Sequence, residues 1–168
     1  RAIQKASQGD TILVAAGKYK EALTIEEDVS ISAKIAEHAL IEGIIIVPKG
    51  KRLLLENITL HPTSQIFFFV TLHLINCVVK GALSNVLLSL NGGNVVAEKC
   101  QFTGATDVAV VLLNKSRASF EDCYFESNEK SHLLIEDSTI ELVNSELLKS
   151  NHAVWLKSNS DAVLEQVR

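Results

Sequence analysis

Long hydrophobic runs are missing from this chain. Its apolar runs, such as Ile44-Ile45-Ile46-Val47 and Phe67-Phe68-Phe69-Val70, have the length of strands, whereas a membrane-spanning helix needs roughly 20 apolar residues. Residues 1–20 also lack the apolar stretch of a signal peptide. Positive charge is sparse and scattered: the formal net charge is -4, and Lys49, Lys51 and Arg52 form the densest basic cluster. Such a surface does not suit nucleic acid, which calls for a concentrated Lys/Arg field. Cysteine is nearly absent too. Three residues, with no CxxC among them, disfavour both a disulfide framework and a zinc site.

What the chain does have is a repeat. Two apolar residues spaced by one, a two-residue step, then two more apolar residues spaced by one occur at Leu53, Leu55, Ile58, Leu60 and again at Leu72, Leu74, Cys77, Val79. Later copies are Val95, Ala97, Cys100, Phe102, then Ala118, Phe120, Cys123, Phe125, then Ile140, Leu142, Ser145, Leu147. The turn residues Asn57, Asn76, Lys99, Asp122 and Asn144 are separated by 19, 23, 23 and 22 residues. A fixed period near 22 identifies a solenoid. Apolar residues alternate with a period of two on each side of the step, and the helical spacing i, i+3, i+4, i+7 is absent, so the units are strands. Asn and Asp suit a sharp corner because they tolerate the left-handed conformation; Lys99 departs from that rule.

Each period holds a third apolar run: Val86 to Leu90, Val108 to Leu113, Leu133 to Ile135 and Val154 to Leu156. Three strands per turn predict an all-β fold, a right-handed single-stranded parallel β-helix of about seven coils with three parallel sheets. Ala2 to Ala6 reads as the end of an amphipathic helix capping the first coil. We expect one β-helix domain over residues 1–168, within a longer protein. Cys77, Cys100 and Cys123 share one phase, so they should stack about 4.8 Å apart as buried thiols. Free thiols in a core suggest a reducing compartment, and hence a cytoplasmic location. Two sequons, at Asn57 and Asn114, are short enough to occur by chance.

The first coil carries a resemblance. Gln8-Gly9-Asp10-Thr11-Ile12-Leu13-Val14, Gly17-Lys18-Tyr19-Lys20-Glu21, Leu23-Thr24-Ile25 and Val29-Ser30-Ile31 resemble the opening of right-handed β-helix proteins of the pectin-lyase-like superfamily. The resemblance implies the fold and leaves the activity open, since enzymes and non-enzymes share it. In pectin methylesterases a segment similar to Ala118–Phe125 precedes Gly-Tyr-Gln-Asp-Thr; here Glu126-Ser127-Asn128-Glu129 follows. The paired Asp and Gly-His-Gly of polygalacturonases are missing. Asp107, Asp122, Asp137 and Asp161 fall in different phases, unlike the calcium cluster of pectate lyases. Of His38, His61, His73, His132 and His152, the last two lie in adjacent coils near the start of the third run, two positions apart in phase. No catalytic residue, cofactor or metal site is therefore predicted.

The third run is apolar at both phases, so one of its faces should present an apolar sheet to solvent, which marks an interface. With Leu87, Val110, Leu134 and Leu156 taken as inward, Leu88, Leu90, Val111, Leu113, Leu133, Ile135 and Trp155 become the partner-binding residues, Trp155 their anchor. The occupant expected there is a protein partner, a covering segment or another copy of the chain. A carbohydrate-binding or carbohydrate-active β-helix, its active site outside this segment, is the alternative.

Overall fold

The computed structural model describes residues 2–34, 39–62, 66–68, 70–81 and 85–168. His38 and Phe69 lie outside the described residues. Alternation in the sequence becomes a right-handed parallel β-helix, in which each strand inside a sheet pairs with the strand one period before it and the one after it. The first sheet stacks Thr11–Val14, Val29–Ala33, Arg52–Glu56, Thr71–Ile75, Asn94–Glu98, Arg117–Glu121, Thr139–Val143 and Asp161–Glu165, all parallel. The second runs from Gly17–Lys20 through Ala39–Gly43, Ile58–Pro62, Val78–Lys80, Gln101–Thr103 and Tyr124–Glu126 to Glu146–Leu148. The third contains Ile66–Phe68, Val86–Asn91, Val108–Leu113, Ser131–Ile135 and His152–Leu156.

Three differences from expectation have local causes. In the first coils the third run is replaced by Leu23–Thr24 paired with Ile45–Ile46, a separate two-stranded sheet. The seven stacked strands of the second sheet span about six turns, where seven coils are expected. The expected capping helix is a single 3-10 turn, Ile3–Lys5. Ile3 and Ala6 rest on the core, but the turn leaves a cavity of about 420 Å³ walled by Ile12, Val14, Tyr19, Leu23 and Ile31.

The corners follow the period. Asn57, Asn76, Lys99, Asp122 and Asn144 all have positive φ, from 49° to 58°, and Gln166 adds a sixth at 53°. Asn57 shows why Asn is favoured: its Nδ2 donates to Ala33 O at 2.8 Å while its Oδ1 accepts from Asn76 Nδ2 at 2.7 Å, so one side chain ties three coils together. Gly81 and Gly104 face each other on adjacent coils; a Cβ on Gly104 (φ +79°) would lie 2.6 Å from Gly81 O.

Inside, one residue per strand position fills the space. Leu53, Leu72, Val95, Ala118 and Ile140 form one buried row of the first sheet, and Leu55, Leu74, Ala97, Phe120 and Leu142 the next. Phe102, Phe120 and Phe125 pack as a trio, with Phe102 stacked on Phe125 at 4.8 Å and both meeting Phe120 edge-on. Such contacts add roughly 0.5–1.5 kcal/mol per pair beyond area burial.

Candidate functional site on the outer face of the third sheet

Register decides which side chains of the third sheet reach solvent. Val110 pairs with Leu133 and Leu133 with Val154; Leu112 pairs with Ile135 and Ile135 with Leu156. Val110, Leu112, Leu133 and Ile135 are completely buried. Between these rows runs the outward one, Ser89, Val111, Leu134, Trp155. Val111 and Leu134 are half-buried, and Trp155 is 47% exposed. Leu113, in the outward row beside Asn91, is half-buried as well.

The predicted partner-binding set is therefore divided. Val111, Leu113 and Trp155 face outward as expected, whereas Leu88, Leu90, Leu133 and Ile135 belong to the core. Leu134, expected inside, is outside. The reason is parity: assigning Val110 to the interior commits Leu133, its ladder partner, to the interior as well, and a slip of one residue turns a whole strand inside out. Leu87 is buried as well as Leu88, and its Cδ2 packs so close to Gly81 that a Cβ there would lie 2.6 Å away.

The outward row ends in a braced aromatic. His152 stacks on Trp155 with ring centroids 6.0 Å apart, and Lys157 Nζ lies 5.0 Å from the centre of the same ring. Contacts of this kind hold the indole in place while leaving part of its surface open. Lys157 also faces Glu136 at 3.8 Å, and Lys130 pairs with Asp107 at 3.1 Å, so charged pairs border the apolar row.

Elsewhere the residues considered for chemistry do not converge. Ser131 pairs with His152, which puts His132 and His152 one position apart instead of two; His132 is buried and His152 exposed. Asp122 and Asp137 occupy different corners, Asp107 pairs with Lys130, and Asp161 ends the first sheet. Among the described residues no group of three or more His, Cys, Asp or Glu is placed to hold a metal. The three thiols do stack: Cys77 N donates to Cys100 Sγ at 3.4 Å, and Cys123 N donates to Ser145 Oγ at 3.1 Å, a serine continuing the row. Hydrogen bonding to Cys100 and burial push the Cys77 thiol up; Cys100 is pushed up to about 12 through Cys123 and burial. A hydrogen bond from Cys100 lowers Cys123.

One feature escaped the sequence reading. The outer side of the first sheet carries a groove of about 480 Å³ in which Asn94, Arg117 and Thr139 form one row and Val96, Ser119 and Glu141 the next. Period-two counting does register these outward positions, but their polar character reads as ordinary solvent-facing surface.

The profile of a protein family described as "Right handed beta helix region" matches residues 42–167. The chain belongs to that family. Curated proteins offer no match. Among solved structures, a PL6 alginate lyase complex with trisaccharide is similar at 11% identity and a TM-score of 0.44, over 90% of this chain and 56% of that one. This β-helix thus spans little more than half the length of that protein. No helix among the described residues is long and apolar enough to cross a membrane.

Proposed function

We propose that this β-helix is a non-catalytic interaction module whose docking face is the outer side of its third sheet. One observation carries the reading: Val111, Leu134 and Trp155 form a continuous outward apolar row, ending in an indole that His152 and Lys157 hold in place. Partially exposed, pre-positioned tryptophans surrounded by polar residues are the usual anchors of protein interfaces. The occupant is a protein, either a different chain or another copy of this one. Three unoxidised thiols in the core fit a reducing, cytoplasmic setting.

A second reading rests on the groove of the first sheet. Arg117 and the amide and hydroxyl groups of Asn94, Ser119 and Thr139 offer donors of the kind that hold sugar hydroxyls and carboxylates. The two readings separate cleanly. Replacing Leu134 with a photo-crosslinking amino acid should trap a protein in cells or a second copy in vitro, and Trp155→Glu should abolish the adduct. Arg117→Ala should leave it intact. If Arg117→Ala instead removes binding to an oligosaccharide while position 134 traps nothing, the groove is the functional site and the docking reading fails.

A further inference from the structure

Apart from serines, the buried polar side chains among the described residues are Asn128 and His132, both with no exposed surface. They touch each other. Asn128 Oδ1 accepts from Ala105 N at 2.9 Å, and its Nδ2 donates to Phe102 O at 3.1 Å and to His132 Nδ1 at 2.8 Å. The two backbone partners fix the amide, since oxygen must face the N–H and nitrogen the carbonyl. His132 Nδ1 is therefore a bare acceptor, and the ring's proton sits on Nε2. A proton arriving at Nδ1 would meet the Asn128 NH2 head-on. Rotating the amide would only move the conflict, placing NH2 against Ala105 N–H and oxygen against Phe102 C=O. The neutral ring is thus tied to the corner by one hydrogen bond to Asn128, whose amide holds the backbone with two more.

Around it, Asp107 is paired with Lys130, Glu126 with Lys149, Glu129 lies at the surface and His152 stacks on Trp155. None of these charges supports a cation on His132: burial depresses its basicity to about 4, opposed only by the Leu148 backbone. The ring also packs near Phe125, 6.1 Å between centroids.

We propose that Asn128 and His132 form an acid-released latch, in which protonation of His132 frees the Asn128 amide and opens the corner at Ala105. The corner leads into Val108–Leu113, and His132 lies in Ser131–Ile135, the strand that presents Leu134. On the docking reading, on which this consequence alone rests, acid loosens the grip on the partner.

Amide exchange on the whole chain tests the latch without any partner. Corrected for intrinsic rates, protection at Ala105 should fall about 50-fold between pH 7 and 4.5, while Leu74 and Ala97 in the first sheet keep theirs. His132→Phe, which retains the ring packing and cannot take a proton, should remove the response. Unchanged Ala105 protection in the native protein, or the same loss in His132→Phe, overturns the latch. Should that variant not fold, the imidazole resonances of the native protein decide. A persistent Nε2–H tautomer that titrates only below pH 5 supports the latch, and an Nδ1–H tautomer or titration near 6.5 refutes it. Partner capture at position 134 at pH 7 reads the docking face separately.

Discussion

The first and third sheets share one stacking geometry, parallel strands in register from coil to coil, and use it differently. In the first sheet inward Leu, Ile, Val, Ala and Phe alternate with an outer face that is mostly Thr, Ser, His, Arg and Glu, interrupted by Leu13, Leu54, Val96 and Val163. In the third sheet Val110-Val111-Leu112 and Leu133-Leu134-Ile135 are apolar at every position. Half of that apolar surface builds the core and the other half faces out. The third sheet leaves an apolar row, Val111, Leu134 and Trp155, on its outer side, and burying it contributes about 25 cal/mol per Å² only when something covers it.

The sharpest way to break this comparison is to charge neighbouring residues on the third sheet. Leu133→Asp places a carboxylate in a fully buried row and should cost several kcal/mol, enough to unfold the chain in a denaturant titration. Leu134→Asp should change stability by less than about 1 kcal/mol while removing partner capture. Equal effects at the two positions would mean that the sheet has no distinct outer face.

Next in size is Phe120→Ala, which opens the aromatic trio beneath the first sheet. A loss of about 3–5 kcal/mol is expected by chemical denaturation, against a change within about 0.5 kcal/mol for Trp155→Glu on the outer third sheet. The contrast separates a residue that holds the fold from one that serves binding.

A third difference is pH sensitivity at the corner feeding the third sheet. His132 is less basic folded than unfolded, so the unfolded chain binds more protons between about pH 6.5 and 4. Stability is full above this window and declines as pH falls through it, by at most about 3 kcal/mol. Thermal melts across the range should show the decline in the native protein and a flatter profile in His132→Phe.

Smaller effects belong to the corners. Gly104→Ala meets Gly81 O at 2.6 Å and has an unfavourable φ of +79°, so melts should show a loss of about 1–3 kcal/mol. Lys99→Gly at a left-handed corner of the first sheet should raise stability by about 0.5–1 kcal/mol, since no Cβ then crowds the backbone.

These same contrasts explain what was legible in the sequence. The turn residues Asn57, Asn76, Asp122 and Asn144 and the alternating stripes announce the β-helix, and even Lys99 adopts the corner conformation that its place in the period demands. The third sheet could be recognised as an interface candidate, yet not phased. With Leu at 133 and 134 and Ile at 135, hydrophobicity has no period, and only pairing with Val110 to Leu112 orients the strand. The capping helix was over-read because a few helix-compatible residues do not reveal how far a helix runs. The Asn128 to His132 latch depends on Ala105 and Phe102, more than 20 residues earlier and one coil away, which local pattern cannot join. The first-sheet groove was missed because its polar residues look like any solvated face.

The proposed docking function puts partner contact on the outer third sheet. Its most direct test places a photo-crosslinking amino acid at Leu134 in one protein and at Val96, on the outer first sheet, in another. A protein adduct is expected from position 134, lost with Trp155→Glu, and none from position 96. Adducts from position 96 alone, with position 134 silent, would contradict it.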